Sequence, residues 1–280
     1  MESHVFIAVM LGAVMHASWN AVIKVGLDRF SSILLLSLVQ GVISLGLLAF
    51  FPLPSLQSLP WLLASIVLHV GYKLFLIRAY QLGDLSQIYP LARGTAPLIV
   101  SIVSALFLGE ILTLSKSLGI VAIGLGIMVM AFAPQKNSTR LSGIALLFAL
   151  GTAFFTAAYT LVDGIGAREA LTASGFTLVL FAGDGMCMLI LAIATRGKQA
   201  ITKTLPEWKT GLIAGSLSLG SYWIAIWAMT KAPIALVSGL RESSVLFAML
   251  IAVIFLKEKT GPLRWLSACA IATGIIMTRI

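Results

Sequence analysis

The sequence predicts an all-α membrane protein of ten transmembrane helices, arranged as two inverted five-helix repeats. Three observations carry that prediction. The composition is too apolar for a water-soluble domain: of 280 residues, 59% are hydrophobic and 10% charged, and the mean hydropathy is +1.04. Apolar stretches of spanning length recur ten times, and features of the first half return in order in the second.

The stretches are bounded by turn-forming residues. Span 1 (4–24) follows Met1-Glu2-Ser3-His4, which has neither the basic n-region nor the small-residue cleavage site of a signal peptide, so a retained helix is expected. Span 2 (31–52) stops at Pro52-Leu53-Pro54, and span 3 (60–81) opens on Pro60 and closes at Gly83-Asp84. Span 4 (85–108) ends at Gly109-Glu110, and span 5 (114–133) ends before the polar link from Pro134 to Arg140. Spans 6 (141–163) and 7 (171–195) are followed by a basic link from Arg196 to Lys209. Span 8 (210–230) ends at Lys231-Ala232-Pro233, and the link from Lys257 to Pro262 separates span 9 (233–256) from span 10 (263–279).

At about 20 residues per crossing, ten spans use roughly 200 residues and leave about 80 for nine links and two tails, too few for a soluble domain. A β-barrel is excluded because its crossings are about ten residues of alternating polarity.

The net charge of +9 is explained by topology rather than by a nucleic-acid partner. Links after odd-numbered spans carry twelve cations (Lys24, Arg29, Arg78, Lys136, Arg140, Arg196, Lys198, Lys203, Lys209, Lys257, Lys259, Arg264); the other face has four (Lys116, Arg168, Lys231, Arg279). The basic face is therefore expected in the cytoplasm and both termini outside, as for a protein of the bacterial inner membrane. Cys187 and Cys269 lie in apolar runs and read as small hydrophobes, not as a disulfide or metal cluster.

The halves echo each other. Arg93 and Arg241 are each followed seventeen residues later by a glutamate, in Phe107-Leu108-Gly109-Glu110 and Phe255-Leu256-Lys257-Glu258, and Gly126-Ile127 matches Gly274-Ile275 at the same offset. With small gaps, Gly71 falls on Gly220, Ala79 on Ala228, and His16-Ala17-Ser18-Trp19-Asn20 on Thr156-Ala157-Ala158-Tyr159-Thr160. Repeats over 1–135 and 136–280, each with an odd number of helices, must enter the membrane from opposite faces. That inversion is a signature of secondary transporters.

The segments Leu82 to Ala131 and Thr230 to Ile280, each an apolar helix ending in Leu-Gly-Glu or Leu-Lys-Glu and followed by a glycine-studded helix, resemble the EamA repeats of the drug/metabolite transporter (DMT) superfamily. The resemblance implies a ten-helix transporter in which spans 1 to 4 and 6 to 9 surround a central cavity while spans 5 and 10 scaffold it. Ten-helix relatives include YddG-like exporters of amino acids and carriers of nucleotide sugars and sugar phosphates. Relatives are commonly drawn with both termini in the cytoplasm, and the charge count here argues the opposite.

Polar side chains in hydrocarbon are costly, so their placement is informative. Span 1 has His16 and Asn20 on one face, and span 3 has His69, Tyr72 and Lys73 on one face. Span 4 has Arg93 with Tyr89 a turn before it and Pro97 a turn after, where a bend is expected. The second half offers Thr156, Tyr159 and Thr160 in span 6, Ser218 and Tyr222 in span 8, and Arg241 in span 9. Related by a two-fold axis, these faces converge on one lumen.

Lys73, Arg93 and Arg241 against Asp184 and Glu242 make that lumen mildly cationic, suited to a carboxylate, phosphate or zwitterion. Tyr222, Trp223 and Trp227 are candidates for an apolar wall. Lys73 has a second reading as a structural bridge to Asp184, Glu110 and Glu258 read as interfacial, and Gly211-Leu212-Ile213-Ala214-Gly215 reads as tight helix packing.

The function expected is a secondary transporter of a small polar metabolite, foremost an amino acid (aromatic among the candidates) that is exported by alternating access. The alternative is a carrier of sugar phosphates, nucleotide sugars or organic-cation drugs on the same fold. A small-molecule substrate and the lipid bilayer are the expected partners, with no nucleic acid, cofactor or metal, in a monomer or weak homodimer. No Gly-x-x-x-x-Gly-Lys-Ser/Thr occurs, so the energy source is a gradient. An intramembrane enzyme is disfavoured, because three histidines cannot supply the ligand pairs of an iron desaturase. Saturable flux would separate a carrier from a channel or scramblase.

Overall fold

The computed structural model describes residues 1–22, 27–83, 85–131, 142–254, 257 and 260–280. Lys24, Asp84, Lys136, Arg140, Glu258, Lys259 and the expected repeat boundary at 135/136 lie outside them. Among the described residues there is no strand.

Spans 1 to 7 are helices α1 (Ser3–Val22), α2 (Arg29–Leu47), α3 (Leu59–Leu82), α4 (Leu85–Phe107), α5 (Leu114–Ala131), α6 (Gly143–Glu169) and α7 (Ala173–Arg196). The basic link after α7 forms the one-turn α8 (Gln199–Thr202). Span 8 is α9 (Trp208–Met229), span 9 is α10 (Ile234–Arg241) with α11 (Ser244–Ile254), and span 10 is α12 (Pro262–Arg279). Among the described residues, eight helices are long and apolar enough to cross a bilayer. The shorter α5 packs along α12, and large apolar side chains such as Ile7, Val42, Val67, Leu147 and Phe154 cover the outside.

Two elements differ from the sequence expectation. Helix α6 continues to Glu169, six residues past the expected end, which moves Asp163 from a helix terminus into the interior. Span 9 is interrupted at Glu242-Ser243, where Glu242 N–H donates to the Gly239 carbonyl and Ser243 N–H to the Leu240 carbonyl, both at 3.1 Å. These are the short-range bonds of a tight 3₁₀-type turn, and the Ser243 hydroxyl takes the Leu240 carbonyl at 2.6 Å. Helix α4 runs without interruption through both Pro90 and Pro97.

Packing repeats the pseudo-symmetry of the sequence. Exchanging the halves turns the α1–α9 contact into α6–α3, the α2–α9 contact into α7–α3, and α4 on α6 into α10 and α11 on α1. The pairs α2–α7 and α5–α12 map onto themselves, and both meet at glycines. A Cβ on Gly185 would lie 2.8 Å from the Ser37 carbonyl oxygen and 3.0 Å from Gly41 Cα, while one on Gly274 would lie 2.6 Å from the Gly119 carbonyl oxygen. Helices without side chains at the crossing approach until backbones touch, the strongest packing available where lipid offers no hydrophobic drive. The Gly211 and Gly215 spacing is used within the chain, against Leu35 and Val39 of α2.

The termini share a face, as an even number of crossings requires: the Arg279 guanidinium donates to the Met1 carbonyl at 2.9 Å and to the Ser3 hydroxyl. On the basic face Asp28 caps α2 by accepting from Phe30 and Ser31 N–H, and Arg196 reaches it at 3.2 Å.

Candidate functional site

Asp163 stands one helical turn after Tyr159 on the face of α6 that meets α3 and α9, and it has no exposed surface. One carboxylate oxygen accepts from the Ser65 hydroxyl of α3. The other accepts the Tyr222 hydroxyl of α9 at 2.5 Å and lies 3.1 Å from His69 Nε2. The His69 ring stacks on Tyr159 with centroids 4.1 Å apart and meets Tyr222 edge-on. Tyr72 and Phe181 close this aromatic cluster.

The break in span 9 delivers the next groups. Arg241, the last residue of α10, places its guanidinium carbon 4.6 Å from the Tyr222 ring centre. It is 8% exposed, and among the described residues it has neither an acidic side chain at ion-pair distance nor a hydrogen-bond acceptor. Glu242, the next residue, pairs with α4, where Arg93 Nε lies 2.7 Å from its Oε2. The oxygen is off the N–H axis, so the two are in ionic contact without an aligned hydrogen bond. Arg93 also lies 6.0 Å from the Tyr89 ring centre and 3.5 Å from the Ser244 hydroxyl.

Lys73 sits in a second ion pair, donating to Asp184 of α7 and, at 2.8 Å, to the Ser37 hydroxyl of α2. The other repeat builds the equivalent α2–α9 contact from neutral groups, with Gln40 Nε2 donating to the Ser218 hydroxyl at 3.1 Å. The bridge reading of Lys73 is therefore the one the geometry realises.

Of the sequence candidates, His69, Tyr72, Tyr159, Tyr222 and Arg241 form one connected cluster, and Tyr89 and Arg93 stand beside it at the span 9 break. His16 receives the Trp19 indole N–H at 3.3 Å. The Asn20 amide donates to the His16 carbonyl within its own helix. Trp223 turns away from the cluster, donating to the Ser174 hydroxyl at 3.0 Å and meeting Phe51 edge-on.

Asp163 was missed because an acid at an apparent helix end reads as interfacial. The signal for it is its four-residue spacing from Tyr159, on the face that carries Thr156 and Thr160. It corrects the cationic lumen: among the described residues the buried cationic side chains Lys73, Arg93 and Arg241 face the buried acids Asp163, Asp184 and Glu242, three of each.

On the rim opposite the basic face, Arg168 at the end of α6 donates to the Met229 and Ala232 carbonyls and, at 2.7 Å, to Glu110 Oε1. Glu110 Oε2 accepts the Ile234 N–H that opens α10, at 2.8 Å.

A family model described as the EamA-like transporter family matches residues 4–132 and again 143–280. A solved crystal structure shares the fold, with a TM-score of 0.74 over 99% of this chain and 96% of its own, at 14% sequence identity. No curated protein matches the chain in sequence.

Proposed function

The chain belongs to the EamA-like transporter family, and from that premise we propose that it carries a small zwitterionic metabolite, foremost an amino acid, outward by alternating exposure of the site at Arg241. The observation that carries the reading is the buried Arg241 guanidinium, stacked on Tyr222 and free of protein acceptors among the described residues. A desolvated guanidinium with open donors is a bidentate receptor for a carboxylate. Glu242, the next residue, supplies a negative oxygen for an α-ammonium, and Tyr72, Tyr159 and Tyr222 form a wall suited to an aromatic side chain.

His16, Asn20, His69, Tyr89 and Arg93 complete the polar lining in this reading, while Lys73 and Trp223 support it from outside. The twelve-to-four distribution of cations supports a bacterial inner-membrane orientation with both termini outward.

Counterflow into proteoliposomes with labelled amino acids, organic cations, sugar phosphates and nucleotide sugars tests the proposal. Saturable exchange of an amino acid is expected, with apparent affinity about 10- to 100-fold weaker in Arg241→Gln, the loss of charged hydrogen bonds worth about 1.5–3 kcal/mol. Exchange limited to organic cations, or indifferent to the substitution, sinks it; exchange of sugar phosphates alone transfers the site to the alternative cargo.

A further inference from the structure

We propose that the groove between α2 and α9 at the basic face holds an acyl chain of one anionic phospholipid, whose phosphate is met by Lys203 and Lys209. The groove has a volume of about 240 Å³. Leu38 and Val42 of α2 line one side, Trp208 and Leu212 of α9 the other, and Ile201 and Leu205 reach it from the link before α9. The one hydroxyl in the lining, on Thr204, is buried and turned back on the Ile201 carbonyl at 2.7 Å. A groove so lined offers a ligand almost no hydrogen bond, so its occupant in a bilayer is hydrocarbon.

The charge beside the groove selects the head group. The link from Arg196 to Lys209 carries four cations and one acid, Glu207. Arg196 is engaged by Asp28 at 3.2 Å, and Glu207 accepts from the Thr210 hydroxyl at 3.1 Å. Lys203 and Lys209 are exposed, and among the described residues neither has an acidic side chain at ion-pair distance. Both border the groove: Lys203 precedes Thr204, and the Lys209 ammonium lies 5.7 Å from the centre of the Trp208 ring. The link is anchored, since Ala200 is buried in a cluster with Phe30 and Leu34 of α2. An exposed tryptophan beside lysines marks the depth at which acyl chains give way to head groups.

Pseudo-symmetry supplies a contrast. The corresponding link of the first repeat, 48–58 between α2 and α3, has no charged residue. The same place in the fold thus meets one leaflet with cations and the other without. A lipid in the groove also touches both repeats, because the α2–α9 seam continues from Gly211 on Leu35 and Gly215 on Val39 to the Gln40–Ser218 hydrogen bond. The proposal is independent of the cargo at Arg241.

Fluorescence quenching of the purified full chain in a neutral detergent tests it. The probes are phosphatidylglycerol and phosphatidylcholine carrying the same brominated chains; the Trp208 signal, one of six tryptophans, is the difference between wild type and Trp208→Phe. Bromine quenches at contact, so the signal reads a chain in the groove. Saturable quenching is expected, at about five- to twentyfold lower concentration for phosphatidylglycerol, since each lysine near an anionic lipid contributes about fivefold. Phosphatidylcholine has the same phosphate, but its choline cancels the charge. The double variant Lys203→Gln, Lys209→Gln should bring the two curves together. Native mass spectrometry of the wild type repeats the comparison without a substitution: one phosphatidylglycerol should stay bound under activation that strips phosphatidylcholine.

Quenching that rises without saturation, equal behaviour of the two lipids in either measurement, or a preference that survives in the lysine variant overturns the proposal. So does protection of Trp208 from both lipids in a particle with the mass of two chains, which would seat a second copy on the groove.

Discussion

Glu110 and Arg168 join three separate parts of the chain: one oxygen of the glutamate receives the arginine at 2.7 Å, and the other receives the backbone N–H of Ile234 at 2.8 Å. Arg168 in turn holds the carbonyls that end α9. The link after α4, the end of α6 and the α9–α10 turn are thereby fixed together on the face opposite the basic links. Glu110→Ala should lower unfolding stability by about 0.5–2 kcal/mol, the range for losing a helix N-cap. Glu110→Gln keeps an acceptor for Ile234 and should recover more than half of that. Thermal unfolding in detergent checks both; equal losses would mean that the charge on Arg168, not the cap, matters.

The glycine crossings give a prediction with an internal control. Gly185→Ala and Gly274→Ala place a methyl group against backbone that cannot move as a side chain does, so each should destabilise by about 1–3 kcal/mol. Gly46→Ala, in α2 with nothing within 4 Å of the added carbon, should be neutral or stabilise by about 0.5–1 kcal/mol. Denaturant unfolding of the three variants checks the contrast. A loss at Gly46 as large as at Gly274 would remove the packing explanation.

The ten spans were legible because bilayer thickness fixes a length, and proline, glycine and charge mark where it ends. The close meeting of α5 and α12 at glycines was legible for a similar reason, since a residue without a side chain has few uses in a membrane helix. The site was legible in part. His69, Tyr159, Tyr222 and Arg241 stood out as polar groups at helical spacing, but their connection through Asp163 depended on where α6 ends, and helix ends follow tertiary contacts rather than local pattern. The break at Glu242-Ser243 carries no proline or glycine. It arises where a run of polar residues, Arg241 to Ser244, is drawn into the centre and a serine hydroxyl takes a backbone carbonyl.

Acid should weaken the basic face through Asp28. Burial alone would push its carboxyl up, but the hydroxyl and backbone N–H of Ser31, together with the Arg196 guanidinium, hold it below the ordinary carboxylate value. A group depressed in the folded state contributes stability above its unfolded value, about 3.9, and loses it as pH falls through the folded value. The difference in melting temperature between wild type and Asp28→Asn should stay constant near neutral pH and shrink toward zero below about pH 4. A difference that persists into strong acid would assign the effect to cap geometry and not to charge.

Arg93 and Glu242 join α4 to the break in span 9, with Nε 2.7 Å from Oε2 and both side chains nearly devoid of exposure. Arg93→Met leaves Glu242 as a buried carboxylate beside one remaining cation, Arg241, and should cost about 3–5 kcal/mol, the usual penalty for halving a buried pair. Arg93→Met with Glu242→Leu removes both desolvated charges and should recover most of that loss, because a buried pair contributes little net stability over apolar groups of similar size. Function should not follow stability. The double variant loses the oxygen proposed to face the substrate ammonium, so it should unfold near the wild-type temperature yet fail in amino-acid counterflow. A double variant as unstable as the sum of its singles would show that the pair is not energetically coupled. One that folds and exchanges like wild type would confine Glu242 to holding Arg93 and leave Arg241 as the sole charged contact of the substrate.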